Sequence, residues 1–265
     1  MQDYIIINGK PSYEIPGLII CTLPPIAKPP KKISTLSIPG ADGDIVTSLG
    51  GYDPYERRFR VAVSRSAGDM ETVVEYLAQD GEIIYSNEPD KIYQMRQTSR
   101  IDFASLTRYR QADVVQVVQP IKRSVMAPLN VNVPVGELGV PYDIQNAGNT
   151  TSRPRFVIVT STDSCELIYR RSDGETFTIL IDPGIPYQDL TITLDASTGN
   201  ATGTLDTGNP ATSRTGWLTD LVSVSGGDIT DLTVPPDATP STIEVSVDSN
   251  SVPQSLKVFD FIAYI

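Results

Sequence analysis

Histidine does not occur in this chain of 265 residues. Its absence removes the Ser-His-Asp and Cys-His arrangements of nucleophilic catalysis and the commonest zinc ligand, so most hydrolase templates fail at the outset. Cysteine occurs twice, at Cys21 and Cys165. That spacing suits neither a disulfide framework nor a metal site, and both residues read as buried free thiols. The longest apolar run, Gly17 to Thr22, falls far short of the roughly 20 residues of a membrane span. The opening Met1-Gln2-Asp3-Tyr4 is no basic-then-apolar leader, so the sequence predicts synthesis in a cytoplasm and no membrane partner. Phosphate-cradling and dinucleotide-binding glycine loops are missing too. Gly199 to Gly203 and Gly226-Gly227 read as turns between strands.

Positive charge is scarce in one half only. Residues 1–125 hold 15 Lys and Arg against 15 Asp and Glu, whereas residues 126–265 hold 6 against 17, so the second half carries the entire net charge of -11. A neutral, charge-rich surface suits self-association, and a strongly acidic one repels its own copies and nucleic acid. The first half reads as the assembling part, the second as an outward-facing appendage. The change of charge, with Pro128 and Pro134 beside it, predicts two domains, residues 1–127 and 128–265.

What the chain does contain is strand. Its 21 Pro and 19 Gly punctuate short runs of Val, Ile, Thr and Tyr, which predicts a mainly β protein built of sandwiches or barrels. Tyr4 to Ile7 followed by Asn8-Gly9 predicts an opening hairpin. A proline-rich strap, Leu23 to Pro30, favours an extended path across a surface. Lys32 to Ile38 alternates, breaks at Pro39 to Asp44, and resumes with Tyr55, Arg57, Phe59, Val61 and Val63 on one face; the two runs are expected to pair as a projecting hairpin over about residues 33–60. One helix is expected, from about Gly68 to Asp80, with Asp69 as its N-cap, an apolar stripe of Val73, Val74, Tyr76 and Leu77, and Gly81 as its stop. Beyond residue 128 short strands recur, as in an antiparallel sandwich.

Candidate chemistry is thin. Asp182 and Asp195, at strand ends, are the best placed acids for a glycosidase pair, and turn chemistry accounts for both. Asp195 to Asn200 alternates oxygen ligands but lacks the closing acid of a calcium loop. Basic residues from Arg96 to Arg123 interleave with Phe103 and Tyr109, as a nucleic-acid surface would, yet Asp102 and Asp113 interrupt them. Trp217 and Tyr187 are the only obvious stacking platforms for a sugar, and Trp217 reads first as core. No catalytic residue, cofactor or metal is expected.

The stretch Ile33 to Ile45, with Pro39-Gly40-Ala41-Asp42-Gly43 at its centre and Gly51-Tyr52 after it, resembles the signature of siphophage distal tail proteins. There a strand meets a Pro-Gly-Arg-Asp-Gly turn followed by tyrosine, and Ala41 stands where the family has arginine. Tyr85 to Tyr93 resembles the family's strand-turn-strand after its helix, and Asn146-Ala147-Gly148-Asn149-Thr150 before Pro154 resembles the start of its second domain. The resemblance implies an N-terminal β-sandwich or split barrel with one helix and a projecting hairpin, then a galectin-like antiparallel sandwich. It further implies a homo-hexamer, or a dimer of hexamers, in the virion tail. The tail-tube protein and the tail-tip or tail-associated protein are its partners, and DNA is present only in transit through a central channel. Ile38, Pro39, Gly40, Asp42 and Gly43 would set the turn of a subunit-interface hairpin that includes Tyr52. A carbohydrate-binding adhesion module is the alternative.

Overall fold

A computed structural model describes residues 3–37, 43–66, 69–97, 101–105, 108–131, 138–160, 163–185, 187–247, 249–250 and 253–265. The chain divides into two compact units, residues 1–125 and 126–264. It is mainly β, with a curled sheet and one helix in the first unit and two facing sheets in the second.

In the first unit the strands are β1 (Ile5–Ile7), β2 (Lys10–Pro11), β3 (Leu18–Thr22), β4 (Lys31–Ser37), β5 (Asp44–Tyr52), β6 (Tyr55–Ser64), β7 (Gly81–Tyr85), β8 (Lys91–Gln97), β9 (Ala104–Ser105), β10 (Tyr109–Val118) and β11 (Lys122–Ser124); the helix α1 is Met70–Leu77. The main sheet runs β2-β1-β7-β8-β10-β6-β3, antiparallel throughout. The predicted opening hairpin is present: Asn8 and Gly9 both take positive φ, 48° and 79°, between paired Ile7 and Lys10, as a two-residue turn of the favoured hand requires. Phe59, Val61 and Val63 of β6 are buried together with Val114 of β10 and with Ile5 and Ile7 of β1. Arg57, which shares their face, is buried with them.

Asp69 caps α1, accepting from the backbone N–H groups of Glu71 at 3.2 Å and Thr72 at 3.4 Å. Val73, Tyr76 and Leu77 face the core, while Val74 stays 38 % exposed. The helix is shorter than its periodicity suggests. It ends at Leu77, and Gly81 opens β7 instead of stopping the helix; there the Asn8 side chain accepts from the Glu82 N–H at 2.9 Å and donates to the Asp80 carbonyl at 3.0 Å. Cys21 is exposed, contrary to the expectation of two buried thiols. It lies on β3, an edge strand whose outer end no longer packs on the core.

The second unit is a two-sheet sandwich. One sheet orders β12 (Leu129–Val131), β14 (Arg155–Thr160), β17 (Asp189–Asp195), β18 (Asn200–Asp206), β19 (Arg214–Trp217) and β22 (Ser255–Phe259) as β12-β22-β14-β17-β18-β19. The other orders β13 (Tyr142–Ile144), β15 (Cys165–Arg170), β16 (Thr176–Ile181), β20 (Val222–Ser225) and β21 (Ser241–Val245) as β13-β21-β15-β16-β20. Alternate residues point inward, as the period of two dictates: Phe156, Ile158, Leu190, Ile192 and Leu194 of the first sheet meet Leu167, Tyr169, Phe177, Ile179 and Ile243 of the second in one core. Phe156 and Tyr169 touch edge to face across the layers, ring centres 5.8 Å apart.

Asn146, from the motif that opens this half, is 3 % exposed and ties three segments. Its amide donates to the carbonyls of Thr150 and Val234, each at 2.8 Å, and its oxygen accepts from Gly148 at 2.9 Å and Ala263 at 3.3 Å. Between β19 and β20, Thr219–Leu221 make a short 3-10 turn. Gly203 is not in a turn but in the middle of β18, where a Cβ would stand 1.9 Å from the Thr191 carbonyl oxygen of β17. The close approach of two backbones, not chain reversal, is what glycine permits there.

Candidate assembly site

The projecting element is built from β4 and β5, which pair with each other and, among the described residues, with no other strand. The sequence-based expectation that Tyr55 to Val63 forms the return strand is overturned: those residues are β6, committed to β10 on one side and β3 on the other. The hairpin therefore spans Lys31–Tyr52. The Asp44–Tyr52 strand was not among the expected ones, and its Gly50-Gly51 pair weakens a strand pattern. Both glycines take positive φ, 73° and 74°, and the register between Lys31↔Tyr52 and Ile33↔Ser48 shifts there. They form an irregularity within the strand, which sharpens its local twist.

Gly43, at a φ of 92°, and Tyr52, half-buried at the root opposite Lys31, are the predicted hairpin residues that can be placed. Ile38, Pro39, Gly40 and Asp42 lie outside the described residues. The decisive side chains were not among those singled out from sequence. Register puts Leu36 opposite Ile45 with Leu49 on the same face, and Ile33 and Val46 on the other. All five are exposed, from 51 % at Ile45 to 64 % at Leu49. The adjacent pair Ile45-Val46 was the available signal: a strand with one buried face has no use for consecutive apolar residues. Covering one such side chain fully is worth roughly 1.5–3 kcal/mol, whereas an isolated two-stranded hairpin is marginal in water. A hairpin with apolar groups on both faces and, among the described residues, no strand paired along either outer edge would gain stability from being covered.

Its root is held firmly. The Asp53 N–H donates to the Pro30 carbonyl at 2.9 Å, closing the base. The proline strap before it, which lacks N–H groups of its own at four positions, is gripped through its carbonyls: Arg57 donates to Pro24 at 3.4 Å and Pro25 at 3.3 Å, and Asn87 to Pro24 at 2.9 Å. Behind the strap, Arg57 and Lys122 converge on Glu88 at 3.2 and 3.1 Å, all three buried. The Arg57 guanidinium also lies 4.5 Å from the centre of the Tyr85 ring and 4.4 Å from that of Tyr93, and Tyr93 donates its hydroxyl to Glu88. Burial alone would raise the Glu88 carboxyl. The hydrogen bonds from Tyr93, Lys122 and Arg57 outweigh that and hold it below its ordinary value.

The remaining candidates stand apart from this element. Asp182 and Asp195 each accept from a backbone N–H two residues on, Gly184 and Ser197, both at 2.8 Å, which is turn chemistry. Lys122 and Arg123 of the basic stretch are committed to Glu88 and Glu82. Tyr187 is only 6 % exposed and donates to the Asp163 carbonyl at 2.5 Å, at the wall of a cavity of about 350 Å³ lined also by Ser164, Asp182 and Asn250. It offers no open face to a sugar. Trp217, expected first in the core, is 68 % exposed on the edge strand β19. Among the described residues no three His, Cys, Asp or Glu side chains gather as metal ligands.

No protein-family model matches the chain, and no curated protein matches it. Its backbone is similar to the crystal structure of the Dit protein of phage SPP1, described as a paradigm of the hub adsorption apparatus in phages infecting Gram-positive bacteria, at a TM-score of 0.57 and 12 % identity over 100 % of both chains. The chain has the fold of a phage distal tail protein. A second likeness, to the phage P2 baseplate in its activated conformation with calcium, covers 100 % of this chain and 98 % of that one at a TM-score of 0.48 and 9 % identity, too slight to carry an argument.

Proposed function

We propose that this protein is a structural hub at the end of a phage tail. Copies close into a hexameric ring through their hairpins, the ring joins the tail tube to the tail-tip proteins, and DNA passes through its central channel during delivery. The single observation that carries this reading is the β4–β5 hairpin, with five exposed apolar side chains on two faces and an anchored root. Placed against the next copy's first unit it would bury those side chains. Repetition by a fixed rotation then closes a ring. The neutral charge of residues 1–125 permits that contact, and the acidity of residues 126–265 makes the second units of neighbouring copies repel one another. The fold shared with SPP1 Dit supports the same role. No step of this role requires catalysis.

The test is the absolute mass of the full-length protein by light scattering beside a variant lacking residues 34–51. A hexamer, or a dimer of hexamers, that falls to monomer on deletion supports the hub. A wild-type protein that stays monomeric at high concentration overturns it.

A further inference from the structure

The outer face of the six-stranded sheet in the second unit carries chemistry that assembly through the hairpin leaves unused. Register sets Trp217 beside Thr202 and Thr202 beside Thr193, and places Thr215, Thr204 and Thr191 in the adjoining row. These side chains point away from the core, because the alternating positions, Leu190, Ile192, Ala201 and Leu205, are the buried ones. The result is two parallel rows of hydroxyls, one of which begins at the only tryptophan of the chain. Thr215 donates to Thr204 at 3.4 Å, whereas the hydroxyls of Thr191, Thr193 and Thr202 have no protein partner among the described residues.

Charge lies around the middle of this face. Asp189 stands opposite Asp206 at one end and Asp195 opposite Asn200 at the other; Arg155, beside Asp195, is paired with Asp260 at 2.7 Å, and Lys257 stands on β22, beyond β14 from the threonine rows. The middle of the face, across β14, β17, β18 and β19, is uncharged in a unit that holds 17 acidic and 6 basic residues. An anionic ligand would be repelled by the flanking carboxylates. An apolar protein surface would meet one indole and a field of hydroxyls that it could not satisfy. A neutral sugar chain matches both parts: the C–H face of a pyranose packs on an aromatic face, and its hydroxyls donate to and accept from threonine. Three strands about 4.8 Å apart, β17 to β19, give a path of roughly 10 Å, the length of a short oligosaccharide.

We propose that the outer face of β17, β18 and β19 is a binding site for a neutral glycan, with one sugar ring stacked on Trp217 and the threonine rows reading its hydroxyls. The site does not depend on the ring. The single tryptophan makes intrinsic fluorescence a direct report of its occupancy. The experiment titrates the full-length protein with cellohexaose, maltohexaose and laminarihexaose to about 10 mM, and with an oligogalacturonate as the charged control. At least one neutral hexasaccharide is expected to shift Trp217 emission saturably. By calorimetry, Trp217→Ala and the near-isosteric pair Thr202→Val with Thr204→Val are each expected to weaken that binding about tenfold or more. No saturable shift with any of the three neutral sugars, an affinity unchanged in the valine variant, or equal binding of the oligogalacturonate would each overturn the proposal. The particle mass of Trp217→Ala is expected to equal that of the wild type, which separates failure of this site from failure of the hub.

Discussion

At the scale of residues, the most constrained group is the buried cluster behind the strap. Two cations and one carboxylate are sealed together, and the ring faces of Tyr85 and Tyr93 share the stabilisation of Arg57. Removing the carboxylate leaves Arg57 and Lys122 without their counter-charge, which for a buried pair costs about 3–5 kcal/mol. Glu88→Ala is therefore expected to lower the denaturant midpoint sharply, measured by urea unfolding at neutral pH. The pH dependence has a definite sign. Because the folded protein holds the Glu88 carboxyl below the ordinary value of 4.5, its contribution is complete above that pH and disappears as pH falls through the lowered folded value. Glu88→Gln, which cannot take up that proton, is expected to show a flatter loss of stability on the acid side than the wild type.

At the scale of elements, the proposed assembly contact involves side chains that folding of the two cores does not use. Leu36, Ile45 and Leu49 face one way and Ile33 and Val46 the other, and none of the five belongs to the cores of either unit. Leu36→Glu with Ile45→Glu is thus expected to reduce the particle mass in light scattering while leaving the melting of each unit unchanged. Ile33→Glu with Val46→Glu tests the opposite face in the same way. A fall in melting temperature equal to that of a core substitution would mean that the hairpin packs within its own chain.

At the scale of the whole molecule, the charge asymmetry governs behaviour in solution. With a net charge of -11 and a sequence isoelectric point near 4.5, particles repel one another at neutral pH. As pH falls toward 4.5 the acidic half loses that repulsion, and turbidity is expected to rise there at a pH where circular dichroism still reports folded strands. Added salt at neutral pH is expected to act in the same direction by screening.

Much of this was legible in the sequence because it is local. The Asn8-Gly9 turn, the Asp69 cap, the inward face of β6 and the strands Cys165–Arg170 and Thr176–Ile181 follow from turn chemistry and from a period of two. The same local signals misled where a residue's conformation is set by something distant. Gly203 reads as part of a chain reversal, yet it sits within a strand, beneath a neighbouring carbonyl. Arg57 could be placed on the right face, but not its counter-ion Glu88 or the second cation Lys122, which lie 31 and 65 positions away. Trp217 and Tyr187 exchange their expected surroundings because burial depends on which strands end a sheet, and β19 is such an edge. By itself the sequence determined the fold class, the division of charge and the unsuitability of the chain for histidine-based catalysis, all of which rest on composition and near-neighbour spacing. The tertiary structure alone decided which strand completes the hairpin, which apolar side chains are left uncovered and which hydroxyls share a face, since pairing across a sheet is a relation between residues far apart in the chain.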